Sequence, residues 1–442
     1  MSSDRPSSQD LPRAISLRAI LDLARQRFGR GVAWNAVSVT LLGLCGIAMS
    51  TIVARFHGPA GLGLFNQALA IYVVSSQLAV FGLQLSVLHH GAFRSSGHPE
   101  ARGMLPSAFF LSLATGTAFG AMLFLARGLL GAAFGSEGLV LSTIWISMAL
   151  PLFAANKVLL AWVNAQRHMA LYAFVTALRY IAMLGALVIL IVIDTEVGSL
   201  PIAFPVSEAL VLLILLLYRP MERELLHGWR DACRWIRKHA RFGVRAFPGA
   251  ALVEANPRID VLMLGVFADD RAVGIYSLAS MFALGAMQLL SVLRVNVNPI
   301  LSQYIEDERK DRLEEIIRQG KRLTYVAFFL IALASCAVFP VLVRVLVGSR
   351  DFAASWPVFA VLMTGISITA GYAPFLMLLT QAGRPELHTS MLGIMVLANV
   401  AFNAVLIPFL GPLGAATATG LAQVVGVAVL TRLAWRSLGL HV

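Results

Sequence analysis

The chain has 442 residues, 58% of them apolar and 13% charged, against roughly 45–50% and about 25% in ordinary soluble proteins. So few charges cannot cover a water-facing surface of this size, which excludes the soluble classes and makes this an all-α polytopic membrane protein. The net charge of +12 raises nucleic acid as a partner. The basic residues alternate from loop to loop, however, so the excess belongs to membrane topology and no nucleic acid is expected.

Residues 1–30 carry Arg5, Arg13, Arg18, Arg25, Arg27 and Arg30 without an apolar run ahead of a cleavage site, so they form no signal peptide. Residues 12–28 read as a basic amphipathic helix on the membrane surface; the first ten read equally well as a disordered tail. A span needs about 20 mostly apolar residues, and about 12 such stretches follow. The first six cover residues 31–54, 63–89, 104–126, 138–163, 169–193 and 200–218. The other six cover 244–267, 273–300, 323–347, 354–379, 387–410 and 413–432. Residues 31–218 thus form an N-terminal six-helix bundle, 219–243 a linker and 244–442 a C-terminal six-helix bundle. Connections are short and punctuated by Gly58-Pro59, Gly383-Arg384-Pro385 and Gly411-Pro412.

Lys and Arg fall unevenly on the two sides. The side holding the N-terminal segment, the linker and the C-terminal end carries 26, and the other carries only Arg55, Arg127, Arg271 and Arg350. The positive-inside rule then puts both termini and the linker in the cytoplasm, with the chain in the cytoplasmic (inner) membrane.

The two bundles echo each other. Residues 56–65, ending Gly63-Leu64-Phe65, align with 267–276, ending Gly274-Ile275-Tyr276, at a constant offset of 211. In each, a short turn leads to a glycine that starts a span, followed by an aliphatic and an aromatic residue. Arg167 before the fifth span pairs with Arg384 before the eleventh at an offset of 217. Both halves start and finish on the same side, so they are parallel repeats related by a pseudo-two-fold axis along the membrane normal.

Ile52-Val-Ala-Arg55-Phe-His-Gly58-Pro59 with Gly63-Leu-Phe65 resembles the opening of the polysaccharide exporters, within the multidrug/oligosaccharidyl-lipid/polysaccharide exporter superfamily. Arg258-Ile-Asp260 through Phe267, Val273-Gly274-Ile-Tyr276, Gln381-Ala-Gly-Arg384-Pro385 and Leu410-Gly-Pro412-Leu-Gly414 extend the likeness over nearly all the chain from about Gly31. The resemblance implies two six-helix bundles in a V around a central cavity. It implies flipping of a lipid-linked (polyprenyl-pyrophosphate) oligosaccharide by alternating access, for surface polysaccharide synthesis of the O-antigen or exopolysaccharide kind. Membrane lipids are then partners, with glycosyltransferases and a polysaccharide polymerase as functional neighbours. The multidrug branch and the fourteen-span lipid II flippases share this ancestry; the span count argues against the latter.

Ionisable groups at bilayer depth cost about 2.5–3.5 kcal/mol each on insertion scales, so each is a functional candidate. Arg179 and Arg258 sit near the middle of their spans. Lys157 and Arg294 lie nearer the cytoplasmic end, where a cavity role and snorkelling are both open. Arg344, near the outer end, reads as an interface anchor. The intramembrane acids are Glu208, Glu254 and Asp260. Glu254 and Arg258 share a helix face and can pair, and Asn256-Pro257 between them predicts a polar kink. Asp260 can equally pair with a neighbouring helix. Cations outnumber acids here, and the planar fork of Arg suits phosphate. We therefore expect Arg258, Arg179, Lys157 and Arg294 to bind the substrate. Tyr72, Trp162, Tyr180, Tyr276 and Tyr372 read as sugar-stacking or interface aromatics.

No GxxxxGK[ST] loop exists for ATP, and no cofactor is expected; Glu254 and Asp260 are candidates for proton or sodium coupling. Cys45, Cys233 and Cys336 have no metal-ligand spacing, and His89-His90 reads as an interface pair rather than a metal site. Competing readings are an ion-coupled multidrug extruder and a membrane polysaccharide polymerase or ligase. The extruder would want an acid-rich lumen, and the enzyme a folded outer loop for which the short loops leave little room.

Overall fold

A computed structural model describes residues 30–92, 103–226, 232–306 and 310–440. The amphipathic helix expected over 12–28 lies outside these. Among the described residues the chain is helical with no strand. The N-terminal half contains α1 (Arg30–Val80), α2 (Leu83–Ala92), α3 (Met104–Leu125), α4 (Arg127–Phe134), α5 (Glu137–Ala165), α6 (Met169–Val192) and α7 (Ala203–Leu217). A short α8 (Arg219–Leu226) leads to α9 (Ala232–Phe267), α10 (Asp270–Glu306), α11 (Lys310–Leu346), α12 (Ser355–Thr369), α13 (Leu378–Gln381), α14 (Pro385–Leu410) and α15 (Pro412–Leu438).

Among the described residues ten segments are long and apolar enough to cross a membrane, and two details reconcile them with twelve spans. The first and second spans run together as α1, which breaks at Gly58 with φ 66° and ψ −168°. Only glycine adopts that conformation cheaply, and Pro59 restarts the helix at a position where its missing N–H costs nothing. The seventh span, α9, falls outside the ten because it carries Glu254, Asn256, Arg258 and Asp260. It runs unbroken through residues 243 and 244, so the linker and the seventh span share one helix. The tenth span is not continuous: α12 ends at Thr369 and a 3-10 turn, Ala370–Phe375, follows. A side chain at Gly371 would collide with the Tyr325 ring.

The outside of the bundle is apolar. Phe409 is 83% exposed, and Leu125, Leu217 and Leu323 point outward similarly, which water would penalise and hydrocarbon does not. We call the end carrying α8 and the start of α9 the linker end, and the other the far end. Toward the far end one buried apolar cluster takes residues from both halves, from Val53 and Phe204 to Val273 and Phe359. At the linker end the clusters separate. One, around Leu159, Trp162 and Trp235, belongs to the N-terminal half and the first turns of α9; another, around Leu313, Ile317 and Phe375, belongs to the C-terminal half. One apolar cluster is thus shared by both halves, while these two linker-end clusters are each built mainly from one half.

A polar clamp links the halves at the far end. Gln67 Nε2 donates to Asp270 Oδ1 (2.7 Å), and Ser136 Oγ donates to Asp270 Oδ2 (3.0 Å). At the linker end the start of α9 docks on the N-terminal half: Phe247 stacks on Phe81 and Phe242 on His89. His239 bridges the Ser86 hydroxyl (2.9 Å) and the Met104 carbonyl (3.0 Å) through its two ring nitrogens. Burial pushes the His239 imidazole down to about 4, so it serves here as a neutral bridge.

Candidate functional site

The N-terminal half holds a buried ion pair between two of its spans. Arg179 on α6 is buried, with its Nε 3.0 Å from Glu208 Oε1 on α7. Glu208 is 0% exposed and heavily served: Tyr72 Oη donates to Oε1 (2.9 Å) and Asn156 Nδ2 to Oε2 (2.7 Å). A buried carboxylate survives only when paired and hydrogen-bonded, and three neighbouring helices, α1, α5 and α6, supply what this one needs. The guanidinium is less fully satisfied. Its Nε faces Glu208, whereas its buried Nη2 has no hydrogen-bond acceptor among the described residues. Its planar face lies 5.3 Å from the centre of the Phe153 ring, and Lys157 Nζ lies 5.7 Å from the same ring.

From the other half, α9 brings Glu254 and Arg258 to this group. Lys157 feels Glu254 together with Arg179 and Glu208, and Tyr180 lies in the field of both Arg179 and Arg258. Glu254 of α9 thus lies in the field of Lys157, and Arg258 in that of Tyr180, which brings the seventh span alongside the charges of the N-terminal half. No ion pair among the described residues joins Glu254 to Arg258, although one helical turn separates them. Arg294 stands apart on α10, where its Nη2 donates to Ser291 Oγ at 3.4 Å and its charge acts on His388 of α14.

Asp260 turns away from this group into the C-terminal half. It is 5% exposed and accepts hydrogen bonds from Tyr276 Oη (2.7 Å), Thr419 Oγ1 (2.7 Å) and Asn403 Nδ2 (2.8 Å). Asn403 also donates to Asn399 Oδ1 (2.6 Å), while its own Oδ1 is buried without a partner. Beside these groups lies a cavity of about 120 Å³, lined also by Asn256, Pro257 and Gln423. Pro257 has no N–H to give to the Val253 carbonyl; inside a membrane such a break is tolerated where it lines a cavity, and here it does.

Depth alone picks out the central cations, but not the groups that hold them. Glu208 is legible as an intramembrane acid, yet its link to Arg179 joins different helices and has no periodic signature. Tyr72 and Tyr276 are both buried, with their hydroxyls on carboxylates. Beyond Asp260 itself, Asn399 and Asn403, spaced i,i+4 in an apolar span, are a further sign of this site that the sequence carries. His89 and His90 pack with Phe242, and no metal-binding group of three His, Cys, Asp or Glu exists among the described residues.

The fold is shared with solved transporters. The lipid II flippase MurJ in an inward closed conformation superposes with a TM-score of 0.75 at 13% identity, over 92% of this chain and 87% of that one. A multidrug resistance MATE family transporter of the MOP superfamily, inward-facing, gives 0.64 at 13% identity, over 92% and 98%. The MATE transporter VcmN of Vibrio cholerae, in its bent form, gives 0.58 at 14% identity, over 95% and 97%. At these identities the likeness concerns the fold alone. Among curated proteins none matches the sequence. The profile of the family described as "Polysaccharide biosynthesis protein" matches residues 52–354. This multi-pass membrane chain, built on the two-lobed helical fold of MurJ and the MATE transporters, therefore belongs to the polysaccharide biosynthesis protein family.

Proposed function

We propose that the protein flips a lipid-linked (polyprenyl-pyrophosphate) oligosaccharide across the cytoplasmic membrane by alternating access, with the linker end and both termini in the cytoplasm. The observation that carries this reading is the approach of Glu254 and Arg258 of one half to Lys157, Arg179 and Tyr180 of the other, with the buried Arg179 Nη2 lacking an acceptor among the described residues. A pyrophosphate supplies several acceptor oxygens, and charge-assisted forks to Arg are the strong ones.

Asp260 and its neighbours are the proposed coupling site. The Asp260 carboxylate, the Asn399 and Asn403 carbonyls and the Thr419 hydroxyl form the oxygen-rich set that hard cations prefer, and the unpartnered Asn403 Oδ1 fits such a ligand. A proton on Asp260 is the alternative use of the same group. Glu254, exposed toward the central space, is the second coupling candidate.

Proteoliposomes containing the purified protein and a fluorescent polyprenyl-pyrophosphate oligosaccharide test the proposal. Protein-dependent loss of protection from a membrane-impermeant quencher is expected, and Asp260→Asn should abolish its response to a sodium or proton gradient. Export of cationic dyes with no movement of the lipid-linked sugar would favour the multidrug reading instead.

A further inference from the structure

An open groove of about 450 Å³ lies between α1, α3 and α4 of one half and α9 of the other, in the part of the bundle nearer the far end. Its volume falls in the range of about 300–1,000 Å³ typical of ligand sites. Ile71 and Val74 of α1 and Phe134 of α4 line one side, and Leu262, Val266 and Phe267 of α9 the other. Ser75 contributes the single hydroxyl of the lining.

The groove continues the cation cluster. Along α9, Leu262 and Val266 follow Arg258 on the same flank at steps of one helical turn, roughly 6 and 12 Å toward the far end at 1.5 Å per residue. Phe134 closes the groove beyond them: a Cβ on Gly265 would come 2.6 Å from its ring, so α4 rests on the bare backbone of α9. An amphiphile with its anionic head at Arg258 finds an apolar channel starting one turn away.

We infer that this groove holds the polyprenyl chain of the lipid-linked substrate while Arg258 and its neighbours hold the pyrophosphate, an assignment that rests on the proposed function. The orientation is specific. With the head near the membrane middle and the chain toward the far end, the lipid keeps the direction it has in the cytoplasmic leaflet. A phospholipid of the opposite leaflet would lie the other way, its head at Phe134 and Phe267. Because the walls belong to different halves, rocking one half against the other reshapes the groove, which ties release of the chain to the transport step.

The test uses the full chain in nanodiscs and two polyprenyl diphosphates, one bearing a diazirine near the head and one bearing it several isoprene units along. The near-head probe is expected to label Ile71 or Leu262, and the distal probe Phe134 or Phe267. Val266, 47% exposed, tolerates a larger side chain, so Val266→Trp should cut labelling and flipping by about tenfold by filling the groove. Ser75→Phe should do the same from the opposite wall. Binding of geranyl diphosphate, which offers the same head and little chain, should be unchanged in both variants and fall in Arg258→Ala. The reverse labelling order, labelling on other helices, or undiminished labelling in both folded variants would overturn the groove alone. If geranyl diphosphate binding ignores Arg258→Ala and polyprenyl diphosphate does not label the chain, the proposed function falls, and the groove with it.

Discussion

Gly63 and Gly274 lie against each other across the pseudo-two-fold axis. A Cβ on Gly63 would stand 1.7 Å from the Asp270 carbonyl, and a Cβ on Gly274 would stand 1.8 Å from the Pro59 carbonyl. The relation is reciprocal, because Pro59 and Asp270 are related by the same offset of 211 that relates the glycines. The repeated turn is therefore the point at which α1 and α10 close the far end, and it admits no side chain from either half.

Alanine at either glycine should force the far ends apart, since the obstructing atoms are backbone and cannot rotate away. Overpacking of this kind costs about 1–3 kcal/mol, enough to change the ratio of closed to open far ends by roughly tenfold or more. Spin labels at Arg127 and Arg350, on a background without Cys45, Cys233 and Cys336, should report longer distances in Gly63→Ala and Gly274→Ala. Asp270→Ala, which removes the acceptor of Gln67 and Ser136, should shift the distances the same way but less.

Glu208 should be indispensable to the N-terminal half. Removing one partner of a buried ion pair costs about 3–5 kcal/mol because the other charge is left uncompensated. Glu208→Ala should thus lower the thermal unfolding midpoint strongly in detergent, and Tyr72→Phe only modestly, as the loss of a hydrogen bond to a charged group. The double variant Arg179→Met with Glu208→Met should recover much of the stability and none of the transport. Transport by that double variant would remove Arg179 from the substrate site.

The dock between the start of α9 and the N-terminal half should weaken in acid. His239 has a folded-state value of about 4 against about 6.5 when free, so between these limits the undocked state binds the extra proton. By linkage, stability is full above about 6.5 and falls as pH drops toward 4, by up to about tenfold in the opening equilibrium per pH unit. Burial is the main cause; His90 and Lys238 push the same way, and the Met104 carbonyl opposes them. Hydrogen exchange of residues 232–243 should accelerate across that window, and His239→Gln should flatten the profile.

The sequence carries most of the architecture and less of the site. Spans, halves and the repeat are legible because hydrophobic length and loop charge are local properties. The break after Thr369 is not, because it depends on Tyr325 occupying the space beside Gly371, and the two meet only in the folded bundle. Likewise depth alone marks Arg179 and Arg258 and leaves Lys157 open to snorkelling, whereas the carboxylate beside Arg179 and the donors around Asp260 come from distant helices. The Glu254–Arg258 pairing shows the converse, since an i,i+4 spacing permits an ion pair that the fold does not close.

The central claim is that Arg258 faces the anionic head of the substrate rather than neutralising Glu254. Initial flipping rates of a lipid-linked oligosaccharide should be compared in proteoliposomes for wild type, Arg258→Ala, Arg258→Lys and Arg258→Ala with Glu254→Ala, at equal protein content. Loss of a hydrogen bond to a charged group costs about 1.5–3 kcal/mol, so Arg258→Ala should be slower by roughly tenfold or more. Arg258→Lys, which keeps the charge without the fork, should fall in between, and the double variant should stay slow. Restoration of the wild-type rate in the double variant would contradict the account.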